Sequence, residues 1–141
     1  MNIFKRLDEY LSVRKEYGLV LLRLVIGWRL VDGTRDNVFS WERMIEFRDF
    51  LQQHGVQAPL LAAQVSVYAQ FICGVLYILG AYTRLAAIIM IINFITALLI
   101  VHTDDTFQGA FPALVILAGS VLFLFQGAGK ISIDNWRIGK N

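Results

Sequence analysis

Cysteine, histidine and proline are all scarce: Cys73 stands alone, with two histidines and two prolines in 141 residues. One cysteine excludes an internal disulfide and a cysteine-based zinc site, and leaves the redox compartment undefined. One thiol and two imidazoles are also too few for a recognisable haem or iron–sulfur site. Charge is thin as well, at 17% of residues against about a quarter in soluble domains. A net charge of +2 argues against a nucleic-acid partner, which calls for a strongly basic surface. Residues 59–83, 85–103 and 106–129 contain no charged residue at all. The N-terminus shows no short apolar core followed by a small-residue cleavage site, so the first span is expected to be an uncleaved anchor. No repeat or low-complexity tract is present.

What fills the chain instead is apolar: 57% of residues are hydrophobic and the mean hydropathy is +0.57. Each uncharged run suffices for a hydrocarbon core that needs about 20 residues. The stretch from Tyr17 to Asp36 is a fourth candidate, yet it carries Arg23, Arg29 and Asp32. A charge at mid-membrane costs roughly 2.5–3.5 kcal/mol and normally faces protein or water. At about 100° per residue, Arg29, Asp32 and Asp36 share a face, with Arg23 about a third of a turn away. That face is expected to turn inward against the other spans.

The length suits one domain, residues 1–141. The expected fold is an all-α integral membrane protein, a four-transmembrane-helix bundle with spans near 17–36, 59–80, 84–103 and 107–127. Residues 3–16 read either as an amphipathic helix on the membrane surface or as a solvated lead-in. Residues 41–53 read as an interfacial helix between spans one and two, stopped by Gly55. Pro59 opens the second span, where a missing N–H is harmless, and Pro112 is placed to bend the fourth. The short links AYTR and TDDT make successive helices antiparallel neighbours. Lys5, Arg6, Arg14, Lys15, Arg84, Lys130, Arg137 and Lys140 fall on one side, and Arg35, Arg43 and Arg48 on the other. The positive-inside rule then places both termini in the cytoplasm.

The chemistry-bearing residues are few. GAGK at 127–130 lacks the Walker spacing, because Leu124 and Ile131 stand where Gly and Ser or Thr belong. His54 and His102 lie far apart, and no metal site is expected. Arg29 with Asp32 reads either as a self-neutralising ion pair or as an anion- and quinone-facing fork with a proton-handling partner. Ser66, Gln70, Cys73 and Tyr77 share a face of the second span, and Asn93 and Thr96 lie in the third. Such groups bond across helices or line a pocket.

LLRLVIGWRLVDGTR, with Arg23, Gly27, Trp28, Arg29, Gly33 and Arg35, resembles the first-helix motif of the DoxX/DoxD family. Gly74, Gly80, Thr83 and Arg84 fit its second-span motif, and His102 fits a histidine that often ends span three. Gly127, Gly129, Ser132 and Asp134 are similar to its closing motif. Gln70 stands where many members have a glutamate. The resemblance covers about residues 17–136 and implies a four-helix membrane protein associated with oxidoreductase complexes. DoxD-like members are subunits of thiosulfate:quinone oxidoreductase, found with a terminal quinol oxidase, and DoxX members are linked to redox-stress complexes.

The resulting expectation is a multi-pass subunit of a quinone-linked oxidoreductase in the inner membrane. Its site would be a polar interior bounded by Arg29, Asp32, Gln70 and His102. Quinone is the one cofactor the resemblance allows, and its electrons would pass to or from a partner or a substrate such as thiosulfate. The alternative is a non-catalytic accessory subunit that docks on a larger complex through Gly27, Gly33 and the interfacial helices. A solute or lipid carrier ranks last, lacking paired broken helices. Lipid bilayer and other membrane or redox subunits are the expected partners, and a homo-oligomer is compatible with the chain.

Overall fold

Seven helices account for most of the chain in the computed structural model, which describes residues 2–140. They are α1 (Ile3–Ser12), α2 (Lys15–Phe39), α3 (Trp41–Gln53), α4 (Pro59–Leu79), α5 (Thr83–Ile100), α6 (Phe107–Gln126) and α7 (Ile133–Ile138). No strand occurs among the described residues.

Local chemistry sets the boundaries. Ser40 closes α2 and opens α3 in one step, its extended backbone ending one helix while its Oγ accepts from Arg43 N at 3.4 Å. Gly55, at φ 77°, follows the end of α3 as a left-handed stop. Pro59 takes the first position of α4, where the orphan N–H is not needed. Gly80 ends α4 at φ 66°, and Thr106 caps α6 by accepting from Gly109 N at 3.3 Å. α6 runs unbroken through Pro112.

Two boundaries differ from the sequence reading. The amphipathic segment 3–16 is helical only to Ser12, whose hydroxyl donates to Glu9 O at 2.9 Å before a turn separates α1 from α2. α2 continues to Phe39 rather than ending near 36, because Asn37 Nδ2 reaches Arg43 O at 2.9 Å and ties the helix end to α3. α7 was not expected. Its signal is Ser132, which accepts from Asn135 N at 3.2 Å as an N-cap.

α2, α4, α5 and α6 form a ring in which α4 and α6 each touch both α2 and α5, and α3 lies across α4. The inner core gathers Ile26, Leu30, Tyr77, Met90 and Phe123 from all four helices. A second cluster, Met44 and Leu51 of α3 on Ala63 and Val67 of α4, sits under α3. α4, α5 and α6 are long and apolar enough to cross a membrane, with mean hydropathies of 1.6, 2.2 and 2.0. α2 is longer, at 25 residues, but its charges keep it out of that class. It nevertheless runs antiparallel to α4, from Arg23 against Tyr77 to Val38 against the Ala63–Val67 cluster.

Candidate functional site

Arg23 is the charge that the bundle buries, at 2% exposure. It shares its helix face with Ile26, Gly27, Leu30 and Thr34, all buried. Its guanidinium donates to Tyr77 O from Nε at 2.9 Å, to Ile131 O from Nη1 at 3.0 Å, and to Ala128 O. One side chain thus ties the last turn of α4 to the loop between α6 and α7. Asp134 completes the connection from the other direction. Its carboxylate accepts from Tyr82 N at 2.7 Å and Thr83 N at 2.9 Å, at the N-terminus of α5, while its own N–H donates to Gly80 O at 2.9 Å. Ser132 donates to Gly129 O at 2.6 Å, and Glu16 accepts from Lys130 N at 2.7 Å.

This clasp collects residues from three motifs more than forty positions apart. Arg23, Gly80, Thr83, Gly129, Ser132 and Asp134 meet at one end of the bundle. Gly80 must lack a side chain there, since a Cβ would lie 2.8 Å from the Arg23 guanidinium and 2.6 Å from Ser132. Gly127 also holds a positive φ, in the same loop. Arg23 bonds to carbonyls and makes no ion pair with Asp134. Glu16 is a member that the sequence reading missed. Its carboxylate lies where only a contact map can link it to Lys130.

The charged face of α2 lies elsewhere. Arg29, Asp32 and Asp36 share a face as the wheel predicts, but all three are exposed on the outside of the bundle. The expectation that this face turns inward is corrected by Gly27. Its Cβ would lie 2.7 Å from Gly74 O, so the tight contact with α4 claims the opposite face of α2. Arg29 therefore forms no ion pair with Asp32. Asp32 instead lies 3.6 Å from Arg35, and the Arg29 guanidinium folds over Gly33. Gly27, buried against α4, is likewise closed to any partner.

Gln70 and His102 come together with other groups in a groove of about 600 Å³ between α3, α4 and α5. Its walls are aliphatic, with Phe47 and Phe50 of α3 over one end. A short relay lies within it: Gln70 Nε2 donates to Ser66 Oγ at 3.0 Å, and Ser66 Oγ donates to Asn93 Oδ1 at 2.9 Å. Among the described residues, Asn93 Nδ2 and Gln70 Oε1 have no protein partner, so one amide donor and one amide acceptor remain for a ligand. His102 lines the same groove and bonds through Nδ1 to Asp105 Oδ2 at 2.6 Å. Of the four residues expected to bound one interior, Gln70 and His102 share this groove, whereas Arg29 and Asp32 lie outside it. Phe47 and Phe50 were not anticipated, because their role depends on α3 folding back over α4.

The polar face expected on the second span also divides. Ser66 and Gln70 serve the groove, while Cys73 and Tyr77 are buried in the core, where Tyr77 donates to Ser120 Oγ at 2.7 Å and packs edge-on against Phe123. His54 bonds to Phe50 O at 2.8 Å and makes no hydrogen bond to His102. No cluster of three or more His, Cys, Asp or Glu suited to a metal ion occurs among the described residues.

Compared with known proteins, the chain matches the DoxX family model over residues 18–103, from the start of the α2 motif to just past His102. No curated protein and no solved structure matches it.

Proposed function

The chain belongs to the DoxX family, and we propose that it is a membrane subunit of a quinone-linked oxidoreductase complex whose quinone site is the groove between α3, α4 and α5. The observation that carries this reading is the pairing of aliphatic walls with unsatisfied amide groups at Gln70 and Asn93. An isoprenoid-tailed ring needs such walls for its tail and a few placed polar groups for its oxygens. When bound, quinone takes up two electrons and two protons to become quinol. Asn93 Nδ2 donates to a ring oxygen, and Gln70 with Ser66 holds the Asn93 amide in orientation. His102, just beyond the end of α5, bonds to Asp105 and lines the same groove. Electrons come from the redox centre of a partner subunit or from an anionic reductant of the thiosulfate class.

In the same proposal α2 is the fourth span and the protein lies in the inner membrane. Both termini and the α4–α5 turn face the cytoplasm. The antiparallel course of α2 beside α4 supports the first point, and the Lys/Arg asymmetry supports the orientation. One observation favours the accessory reading instead: six of the fifteen motif residues build the clasp, a fastening rather than a reaction centre.

Quinone retention tests the reading. The protein is extracted into lipid nanodiscs and its lipid phase is analysed for quinone. Near-stoichiometric quinone is expected in the wild type. A loss of about fivefold or more is expected in Asn93→Leu, about 1 kcal/mol for one hydrogen bond. Leu61→Ala, on an exposed position of α4, should change nothing. Arg29→Gln should also retain quinone, because Arg29 is remote from the groove. Absence of quinone from the wild type, or equal retention in Asn93→Leu, would sink the proposal.

A further inference from the structure

α2 carries a second seam, turned away from the bundle except at its end, where the Phe39 ring meets Phe71 of α4 edge-on at 6.1 Å. Leu21, Val25, Trp28, Asp32, Arg35 and Phe39 follow one another at alternating steps of four and three residues, and every one is exposed. Trp28 is 60% exposed and Phe39 80%. A strict alternation of this kind is the seam of two packed helices, with Asp32 and Arg35 as its polar layers.

Depth makes the seam informative. Gly27 packs on Gly74, about 8 Å from the end of α4 at 1.5 Å per residue. Asp32, five residues further along the antiparallel α2, therefore lies about 15 Å from that end, near the middle of a core about 30 Å thick. Charges at that depth face protein or water rather than lipid. Within one chain they are poorly satisfied. Arg35 approaches Asp32 at 3.6 Å and Asp36 at 3.5 Å, neither at close hydrogen-bond distance, and Arg29 makes no ion pair at all among the described residues.

We propose that this face of α2 binds the same face of a second copy, forming a two-fold dimer about an axis along the membrane normal. Copies inserted in the same sense place their α2 helices parallel, so each layer meets its own equivalent. In parallel seam packing, Arg35 of one copy seats beside Asp32 and Asp36 of the other. Arg29, Asp32, Arg35 and Asp36 sum to zero charge, so two joined faces need no outside counter-charge, and the reach of Arg35 into the neighbouring layer offsets the meeting of Asp32 with its own equivalent. The dimer rests on the reading of α2 as the fourth span, and stands or falls independently of what the groove binds.

Cysteine cross-linking in native membranes tests the seam. In a Cys73→Ala background, Val25→Cys and Trp28→Cys should each form an oxidised homodimer. Ile72→Cys and Ile95→Cys, at exposed positions on α4 and α5, should not. Native mass spectrometry from nanodiscs supplies the charge test. Asp32→Arg should lower the dimer fraction about tenfold, and the swap Asp32→Arg with Arg35→Asp should restore most of it, which a misfolded chain would not do. A monomeric wild type overturns the proposal. So does failure of Val25→Cys and Trp28→Cys to cross-link, or their cross-linking only to a different chain.

Discussion

Arg23 is held by three carbonyl oxygens and almost no water, and its neighbours explain why arginine stands there. A guanidinium offers donors in a planar fork, enough to serve Tyr77 O on one side and the α6–α7 loop on the other. Arg23→Ala strands these acceptors in a buried setting, at a cost of about 3 kcal/mol or more. The expected outcome is a fall in Tm of about 8 °C or more in detergent, with partial recovery in Arg23→Lys, which keeps the charge but not the fork. Equal melting of wild type and Arg23→Ala would remove the clasp's structural role. Arg23 was legible in the sequence as an intramembrane charge and a motif member. Which charge goes inward was not, because a helical wheel shows which residues share a face and not which face meets a neighbour. That choice is made by Gly27, whose partner Gly74 is remote in sequence.

At the level of elements, the α2–α4 crossing is the contact from which the other placements follow. A Cβ on Gly27 would lie 2.7 Å from Gly74 O, and one on Gly74 would lie 2.8 Å from Gly27 O. Backbone faces backbone on both sides, so neither helix can yield by rotating a side chain. Gly74→Ile is expected to push the helices apart and cost about 1–3 kcal/mol. Because Arg23 reaches Tyr77 along the same crossing, the variant should also lose the clasp. Hydrogen exchange of the α7 amides, which the clasp holds, should rise alongside the drop in Tm. Unchanged α7 protection would show that the crossing and the clasp act separately. The helices themselves were legible: the uncharged runs mark α4, α5 and α6, and Ser40, Gly55 and Pro59 mark the ends around α3. α7 was not, since six residues are too few for a periodic pattern and only the Ser132 cap announces it. The groove was half legible, because Gln70 and His102 lie on helices the sequence delimits, while its Phe47 and Phe50 cover requires α3 to fold back.

For the molecule as a whole, the two ends of the bundle have different chemistry. The clasp end gathers α7, the α4–α5 turn and the lead from α1, with Arg84, Lys130, Arg137 and Lys140 at its surface. Arg137 there stacks 4.4 Å from the Tyr82 ring. The opposite end carries α3, with acidic and basic residues mixed, and the His102–Asp105 pair at the groove mouth. In the proposed orientation, set by the retention of basic residues on the cytoplasmic side, the clasp end is cytoplasmic and the groove mouth faces outward. Single cysteines introduced at the exposed positions Gln52 and Lys140 in a Cys73→Ala background separate the two orientations. A membrane-impermeant maleimide applied to intact spheroplasts should label Gln52→Cys and spare Lys140→Cys until the membrane is opened. The reverse pattern would invert the protein and put His102 on the cytoplasmic side. Labelling of both before opening would mean that an even number of helices crosses between the two positions, against the reading of α4, α5 and α6 as three spans. With the expected pattern, the groove opens to the outer aqueous phase, on the side of the membrane where α3 covers the site.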